Sequence, residues 1–344
     1  MKLPVRTLAR LAVIYLCVLL IIILIAGATS NKLTWDYAHD ALMGIRMNNP
    51  ALYQELEQNA TREGLTVEEY YYHILTKAAE VRDDNIFVMG MDLLRKSIDY
   101  YRRGDTKYDF NHSIKVTLMV MGLSVLLTVF LSVLLGFKLA NSRFLGVAEG
   151  LARFFTGLPS WWIGAVLIAV FAVKLDAFPI SGLKSIPPKG GFEGVLDVLW
   201  HLALPVATLV FVYIWEFVVV VAHNVRDELG KPYVLTARAK GISEWVIYWR
   251  HVLKNVSIVL SSFTVQKFVE MFTDYIVVDV LFNLGGLGII FKASFVRTVV
   301  PAFGVVVRFD YRLFFVVTLA IFIISFVFSF LLELVKGMLD PRVS

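Results

Sequence analysis

The sequence is poor in cysteine and in charge, and both scarcities narrow what it can be. Cys17 is the only cysteine in 344 residues, so no disulfide can close within the chain and no thiolate cluster can hold a metal. Asp, Glu, Lys and Arg make up 18% of the residues, against about a quarter in soluble globular chains. His39, His73 and His112 are scattered without ligand spacing, so no metal site is expected. No G-x-x-x-x-G-K-[ST] phosphate cradle occurs. Gly285-Gly286-Leu287-Gly288 lacks both the lysine and a strand-to-helix setting, and reads as a tight turn. No nucleophile shares a face with a base, so no catalytic residue is assigned. The net charge of +5 comes without a basic stripe interleaved with aromatics, which argues against nucleic acid as a partner.

What the chain has in abundance is apolar length. It is 58% hydrophobic, with a mean hydropathy of +0.70. Long apolar stretches recur at 11–28, 114–136, 155–175, 200–222, 256–282 and 313–335. Each is near the ~20 residues needed to cross a ~30 Å hydrocarbon core. The expected fold is therefore all-α and polytopic, with six transmembrane helices and the lipid bilayer as its solvent. The first run follows Lys2, Arg6 and Arg10 like a signal peptide. It is longer than a ~7–15 residue signal core, and is expected to stay as the first helix. The third span could begin earlier, through Ala148–Phe155.

Basic residues set the orientation. Lys138, Arg143 and Arg153 share one loop, Arg226 to Lys254 supply six more in another, and three precede the first span. With six spans these all fall on one face, which the positive-inside rule makes cytoplasmic. Both termini would then be cytoplasmic, in a cell membrane. The organisation expected is an N-terminal helix over 1–30, an extracytoplasmic helical domain over 31–112 and a core over 113–344. In the insert, Asn49-Pro50 reads as an N-cap with proline at the first helical position, and Gly64 as the end of that helix. Thr66-Val67-Glu68-Glu69 fits a capping box, and a third helix should run from Asn85 to Arg103 with Gly104 just past it.

The polar island between the fourth and fifth spans, 224–255, is the most informative stretch. Pro232 can open a short helix, Gly241 can end it with a left-handed turn, and Ser243 can cap a second helix over Glu244–Lys254. Val234, Ala237, Ile242, Trp245 and Val246 give the island an apolar side with no evident partner inside the loop, as docking surfaces have.

These residues carry a resemblance. The string Tyr233-Val234-Leu235-Thr236-Ala237-Arg238-Ala239-Lys240-Gly241-Ile242-Ser243, followed by His251, Leu253 and Asn255, is similar to the cytoplasmic coupling loop of binding-protein-dependent ABC importers of the peptide/nickel type. His201-Leu202-Ala203-Leu204-Pro205, Val278-Asp279-Val280-Leu281-Phe282, Gly286-Leu287-Gly288 and Asp340-Pro341-Arg342 resemble further family segments, as does Tyr101-Arg102-Arg103-Gly104-Asp105. There are departures. Asp279 stands where the family usually has Glu and Gly285 where it has Pro. Val219 and Ala222 replace arginines, and 293–307 looks inserted before Arg308-Phe309-Asp310-Tyr311.

The resemblance implies a permease subunit, not an enzyme. It would hold no cofactor of its own, with ATP and Mg bound by two ATP-binding cassette subunits. A homologous second permease and an extracytoplasmic solute-binding protein complete the expected assembly. Tyr233, Thr236, Ala237, Arg238, Ala239, Lys240, Gly241, Ser243 and Glu244 would couple it to the ATPases. Short peptides are the first expectation for cargo, with oligosaccharides or nickel as alternatives. In the fifth span, Lys267, Glu270 and Asp274 fall at i, i+3 and i+7, so they share a face that must avoid lipid. They and Asp279 are candidates for the translocation path. The same charges motivate a rival reading as an ion-gradient-driven secondary transporter, although no inverted repeat is visible. A third reading is a membrane-anchored receptor that binds through 29–112.

Overall fold

The computed structural model describes residues 5–78, 85–102, 108–300 and 304–339. The chain divides into two compact units. One comprises Ala12–Lys107 with Asp310–Leu319, the other Tyr108–Phe309 with both terminal segments.

In the first unit, α1 (Val5–Asn48) is followed by α2 (Pro50–Glu63), α3 (Val67–Ala78) and α4 (Ile86–Arg102). The sequence expectation ended the first helix near residue 28, yet α1 runs on to Asn48. Nothing between 29 and 43 caps or breaks it: Thr29 and Thr34 turn their hydroxyls back onto the carbonyls of Ile25 and Ser30, at 2.8 and 2.9 Å. At 44 residues, or ~66 Å at 1.5 Å per residue, α1 is about twice the hydrocarbon thickness, so a single crossing does not use its whole length. Its second half packs against the helices that follow. Trp35 stacks on Tyr72 with centroids 4.3 Å apart, and the Tyr72 hydroxyl donates to Asn31 at 2.7 Å.

The local signals of the insert hold. Asn49 Oδ1 accepts from the Leu52 N–H at 3.3 Å, and Gly64 is left-handed at φ 73°. The capping box closes both ways: Thr66 N–H donates to Glu69 Oε2 at 2.8 Å, and Glu69 N–H to Thr66 Oγ at 3.2 Å. The Thr66 N–H and the Thr66 hydroxyl, both donating to the Glu69 carboxylate, hold it below its ordinary value. The expected terminator Gly104 lies outside the described residues, as does the Asp340-Pro341-Arg342 ending.

The second unit begins with α5 (Phe110–Leu139). Next come α6 (Leu145–Thr156) and α7 (Ser160–Leu167), which runs on as a wider π-helical stretch to Lys174. Then α8 (Gly191–Leu229) leads through α9 (Pro232–Ala239) and the short α10 (Glu244–Val246) into α11 (Leu253–Phe282) and α12 (Leu287–Ala293). β1 (Phe295–Val300) pairs antiparallel with β2 (Gly304–Phe309), Phe295 opposite Phe309, and α13 (Tyr311–Leu339) follows, its residues up to Leu319 belonging to the first unit. The stretch that looked inserted is thus a two-stranded ribbon. Every other regular element among the described residues is helical.

Four helices are long and apolar enough to cross a membrane. Counting each of two bent pairs as one span, Leu145–Thr156 with Ser160–Lys174 (102°) and Glu244–Phe282 with Leu287–Ala293 (75°), gives six. The chain is a multi-pass membrane protein. The segment 148–155 is helical, as the sequence allowed, and forms a separate helix, α6, turned sharply against the third span. The core centres on α8, whose Val218, Val221, Ala222 and Val225 are fully buried. Gly136 of α5 lets the two helices close on each other: a methyl there would meet Val221 Cβ at 2.6 Å and the Ala222 nitrogen at 3.2 Å. An arginine at 222 would have no room.

In the first unit, α1 and α4 cross where Gly27 and Gly90 face each other's backbones. A methyl at Gly27 would overlap the Ile86 carbonyl, and one at Gly90 the Ile23 carbonyl. Gly90→Ala should therefore destabilise this unit by ~1–3 kcal/mol through overpacking. Gly44→Ala, on the same α1 but with nothing within 4 Å of the new methyl, should be neutral or stabilising by up to ~1 kcal/mol. Thermal unfolding of the two variants checks the contrast, and equal losses would contradict the close crossing.

Candidate functional site

The arm between α8 and α11 is pinned by one carboxylate. Glu228, in the last turn of α8, is 8% exposed. It accepts from Lys231 Nζ, from the Tyr233 hydroxyl at 2.5 Å and from Asn255 Nδ2 at 3.0 Å. Three segments, the end of α8, the start of α9 and the start of α11, thereby converge on a single anion. Burial and the adjoining Glu228 push the Tyr233 phenol up to about 12. Sequence reasoning missed Glu228. The available signal was an acid with Lys at i+3 and Tyr at i+5, straddling a Gly-Lys-Pro break.

Pro232 opens α9 as expected, and Gly241 is left-handed at φ 74°. A Cβ at 241 would meet nothing within 4 Å, so only backbone conformation holds glycine there. Arg238 bridges the turn with a two-pronged bond to Glu244, 2.6 and 3.2 Å, which raises the guanidinium's affinity for its proton. Two expectations need correcting. Ser243 precedes α10 but its hydroxyl makes no capping bond, and α10 is no isolated helix, since it leads through a π-helical stretch over Ile247–Val252 into α11. The apolar side of the arm also has a partner in the chain: Val234 and Ala237 are buried in the same core as Ile247 and Val252. Ala237 therefore faces inward. Tyr233, Thr236, Arg238, Ala239, Lys240, Gly241, Ser243 and Glu244 remain exposed. With them stand Leu235 at 56% and Trp245 at 70% exposure.

In the spans, Lys267 donates to Glu270 at 2.8 Å, the pair read from the sequence, and also reaches Glu216 of α8 at 2.8 Å. Glu216 in turn accepts from the Thr156 hydroxyl of α6. Asp274 accepts from the Tyr213 hydroxyl at 2.8 Å and from Ser160. The cluster thus joins four helices, three of them invisible from spacing along α11 alone. The Glu270 side chain stays 54% exposed beside the 15% of Lys267. Asp279 is different. It is fully buried, with its oxygens on the N–H groups of Gly286 (2.9 Å) and Ile289 (3.0 Å). Expected on the translocation path, it instead fastens the bend between α11 and α12.

A family model described as "Binding-protein-dependent transport system inner membrane component" matches residues 110–344. The chain belongs to this family. Among its relatives, the inner membrane ABC transporter permease YejB of Escherichia coli O157:H7 is 31% identical over 193 residues, covering 54% of this chain and 50% of that protein. The oligopeptide transport system permease AppB of Bacillus subtilis strain 168 is 25% identical over 230 residues, 66% and 68% of the two chains. The metal-staphylopine import permease CntB of Staphylococcus aureus Mu50 is 25% identical over 234 residues, 68% and 67%. The chain spans about half the length of the first of these relatives. The family match begins at the start of α5 and takes in the arm, the charged cluster and the Asp279 bend, leaving the insert outside it.

The two acids of α11 should respond differently to neutralisation. Asp279→Asn turns an amide N–H toward a backbone N–H that cannot move, and should cost ~1–3 kcal/mol. Asp274→Asn faces hydroxyls that can rotate, and should cost less than ~0.5 kcal/mol. Thermal unfolding of the two variants in detergent checks this, and a larger loss for Asp274→Asn would contradict the assignment.

Proposed function

We propose that this chain is one of two permease subunits of an ATP-driven importer of short peptides. Its six spans would leave both termini and the 230–243 arm in the cytoplasm, with 31–112 as an extracytoplasmic insert. The observation that carries the reading is the arm itself: a short helix with exposed Leu235, Thr236 and Lys240, held rigidly at the ends of two spans by Glu228. A loop serving only as a connector needs no such bracing. The ATP-binding cassette subunits would receive the arm, and a solute-binding protein would deliver cargo to the other face. Relatives with oligopeptide and dipeptide permease names favour peptides, and the metal-staphylopine relative keeps a metal-chelate cargo as the second reading. Membership in this family weighs against an ion-gradient-driven transporter.

Leu235→Glu and Gly241→Val should both leave the chain in the membrane while abolishing substrate-stimulated ATP hydrolysis in the assembled importer. The first places a charge at the joint and the second strains a left-handed turn. Ala237→Glu should instead lower the stability of the chain itself, because that side chain faces inward. Normal coupling in both Leu235→Glu and Gly241→Val would sink the docking role.

The Lys267 cluster is proposed to line the path, with Glu270 and Asp274 turned toward cargo or water. A cysteine introduced at Asp274 (with Cys17→Ser as background) should react with a water-soluble thiol reagent in at least one of the resting and ATP-trapped states. Protection in both states would move the path elsewhere. The insert is proposed to contact the binding protein. Deleting 36–108 with a short flexible join should lower uptake at limiting binding protein, whereas unchanged uptake would make the insert a spacer.

A further inference from the structure

An apolar groove runs along the outside of the spans in the second unit. One wall is α5, where Val125, Val129, Val133 and Phe137 repeat every four residues. The other is the first half of α11, with Leu332 and Val335 of α13 beside it. From Val125 to Phe137 the groove covers ~18 Å, close to the ~15 Å hydrocarbon depth of one leaflet. The hydroxyl protons along its length are already engaged within the protein. Ser257, Ser261 and Thr264 each donate to a carbonyl of their own helix, at 2.8, 2.7 and 2.8 Å. What remains is a wall of methyl and methylene groups, which suits a hydrocarbon chain.

One end of this groove is chemically distinct. Trp249 is shared between its apolar length and its end, stacks parallel to Phe137 at 6.3 Å and meets Trp245 at 5.1 Å. Lys138 follows Phe137 on one wall and Lys254 follows Leu253 on the other; both line the groove and both are exposed. Among the described residues, neither ammonium has a carboxylate within ion-pair distance. Exposed indoles are the side chains that settle at the level of lipid headgroups. Two unpaired cations at that level, above a groove of leaflet depth, complement an anion with an attached chain.

We propose that the groove is a binding site for an anionic phospholipid, with one acyl chain between α5 and α11 and the phosphate at the Lys138–Lys254 end. This does not depend on the transport reading. The test uses the purified full chain, stripped of lipid in detergent, then offered dioleoyl phosphatidylglycerol or dioleoyl phosphatidylcholine and followed by native mass spectrometry. Phosphatidylglycerol should be retained about tenfold better than phosphatidylcholine, a margin of the size that two interfacial cations supply. Lys138→Gln with Lys254→Gln should erase that preference without changing the circular dichroism, both side chains being exposed. Val129→Trp, which fills the groove, should reduce retention of both lipids. Equal retention by the unmodified chain, or a preference that survives the double lysine variant, would overturn the proposal. So would an efficient cross-link from a cysteine at Val129 (on Cys17→Ser) to a second permease in the assembled importer, since a protein helix would then fill the groove.

Discussion

A backbone that leaves the helix inside a low-dielectric core must find partners for the groups it frees, and here one carboxylate supplies them. The chain bends by 75° between the end of α11 and α12, freeing the first N–H groups of α12. Asp279, one turn before the end of α11, takes two of them. The Thr117 hydroxyl of α5 takes a third, from Leu287 at 3.1 Å, while itself accepting from Tyr275 at 3.0 Å. Ser113 donates to the Gly285 carbonyl at 2.7 Å. The bend is therefore tied on both sides, and α5, α11 and α12 hold together through it. Glycine is needed at 286 and 288, where any Cβ would press on Asp279.

The same economy of charge shapes the opposite end of the spans. Glu228 makes a braced corner of α8, α9 and α11, so under the proposed function displacement of the arm would be passed to two long helices rather than absorbed in a loop. Because α10 runs through the 247–252 segment into α11, a push on the arm in the proposed importer would act along the axis that carries Lys267 and Asp274. Lys267 bridges Glu216 and Glu270, so the two helices that receive the push are joined again deep in the spans. Under the proposed function, the arm and the polar cluster would act as parts of one lever. A lever of this kind is what a transporter powered by separate ATPase subunits requires.

Much of this was legible in the sequence, and what escaped has physical reasons. Asn49, Gly64, Thr66, Pro232 and Gly241 act within a few residues of themselves, so their roles could be read directly. The Lys267–Glu270 pair followed from helical spacing. Glu216, Tyr213 and Glu228 were missed because their partners sit on other helices or beyond a break, and spacing along one helix cannot find them. The inward turn of Ala237 was missed because an apolar side reads the same whether it meets a partner protein or its own core. The extension of α1 to Asn48 was missed because helix continuation leaves no signal, only the absence of a stop. The β1–β2 ribbon was visible only as an interruption of a familiar pattern.

The central claim is that this chain moves cargo using ATP hydrolysed by partner subunits, transmitted through the 228–255 corner. The direct test is uptake of a labelled short peptide into proteoliposomes holding this chain with its second permease, ATPase subunits and binding protein. ATP on the ATPase side should drive uptake with no ion gradient present, and omission of the ATPase subunits should abolish it. Uptake that persists without ATPase subunits and follows an imposed proton or sodium gradient would contradict the account.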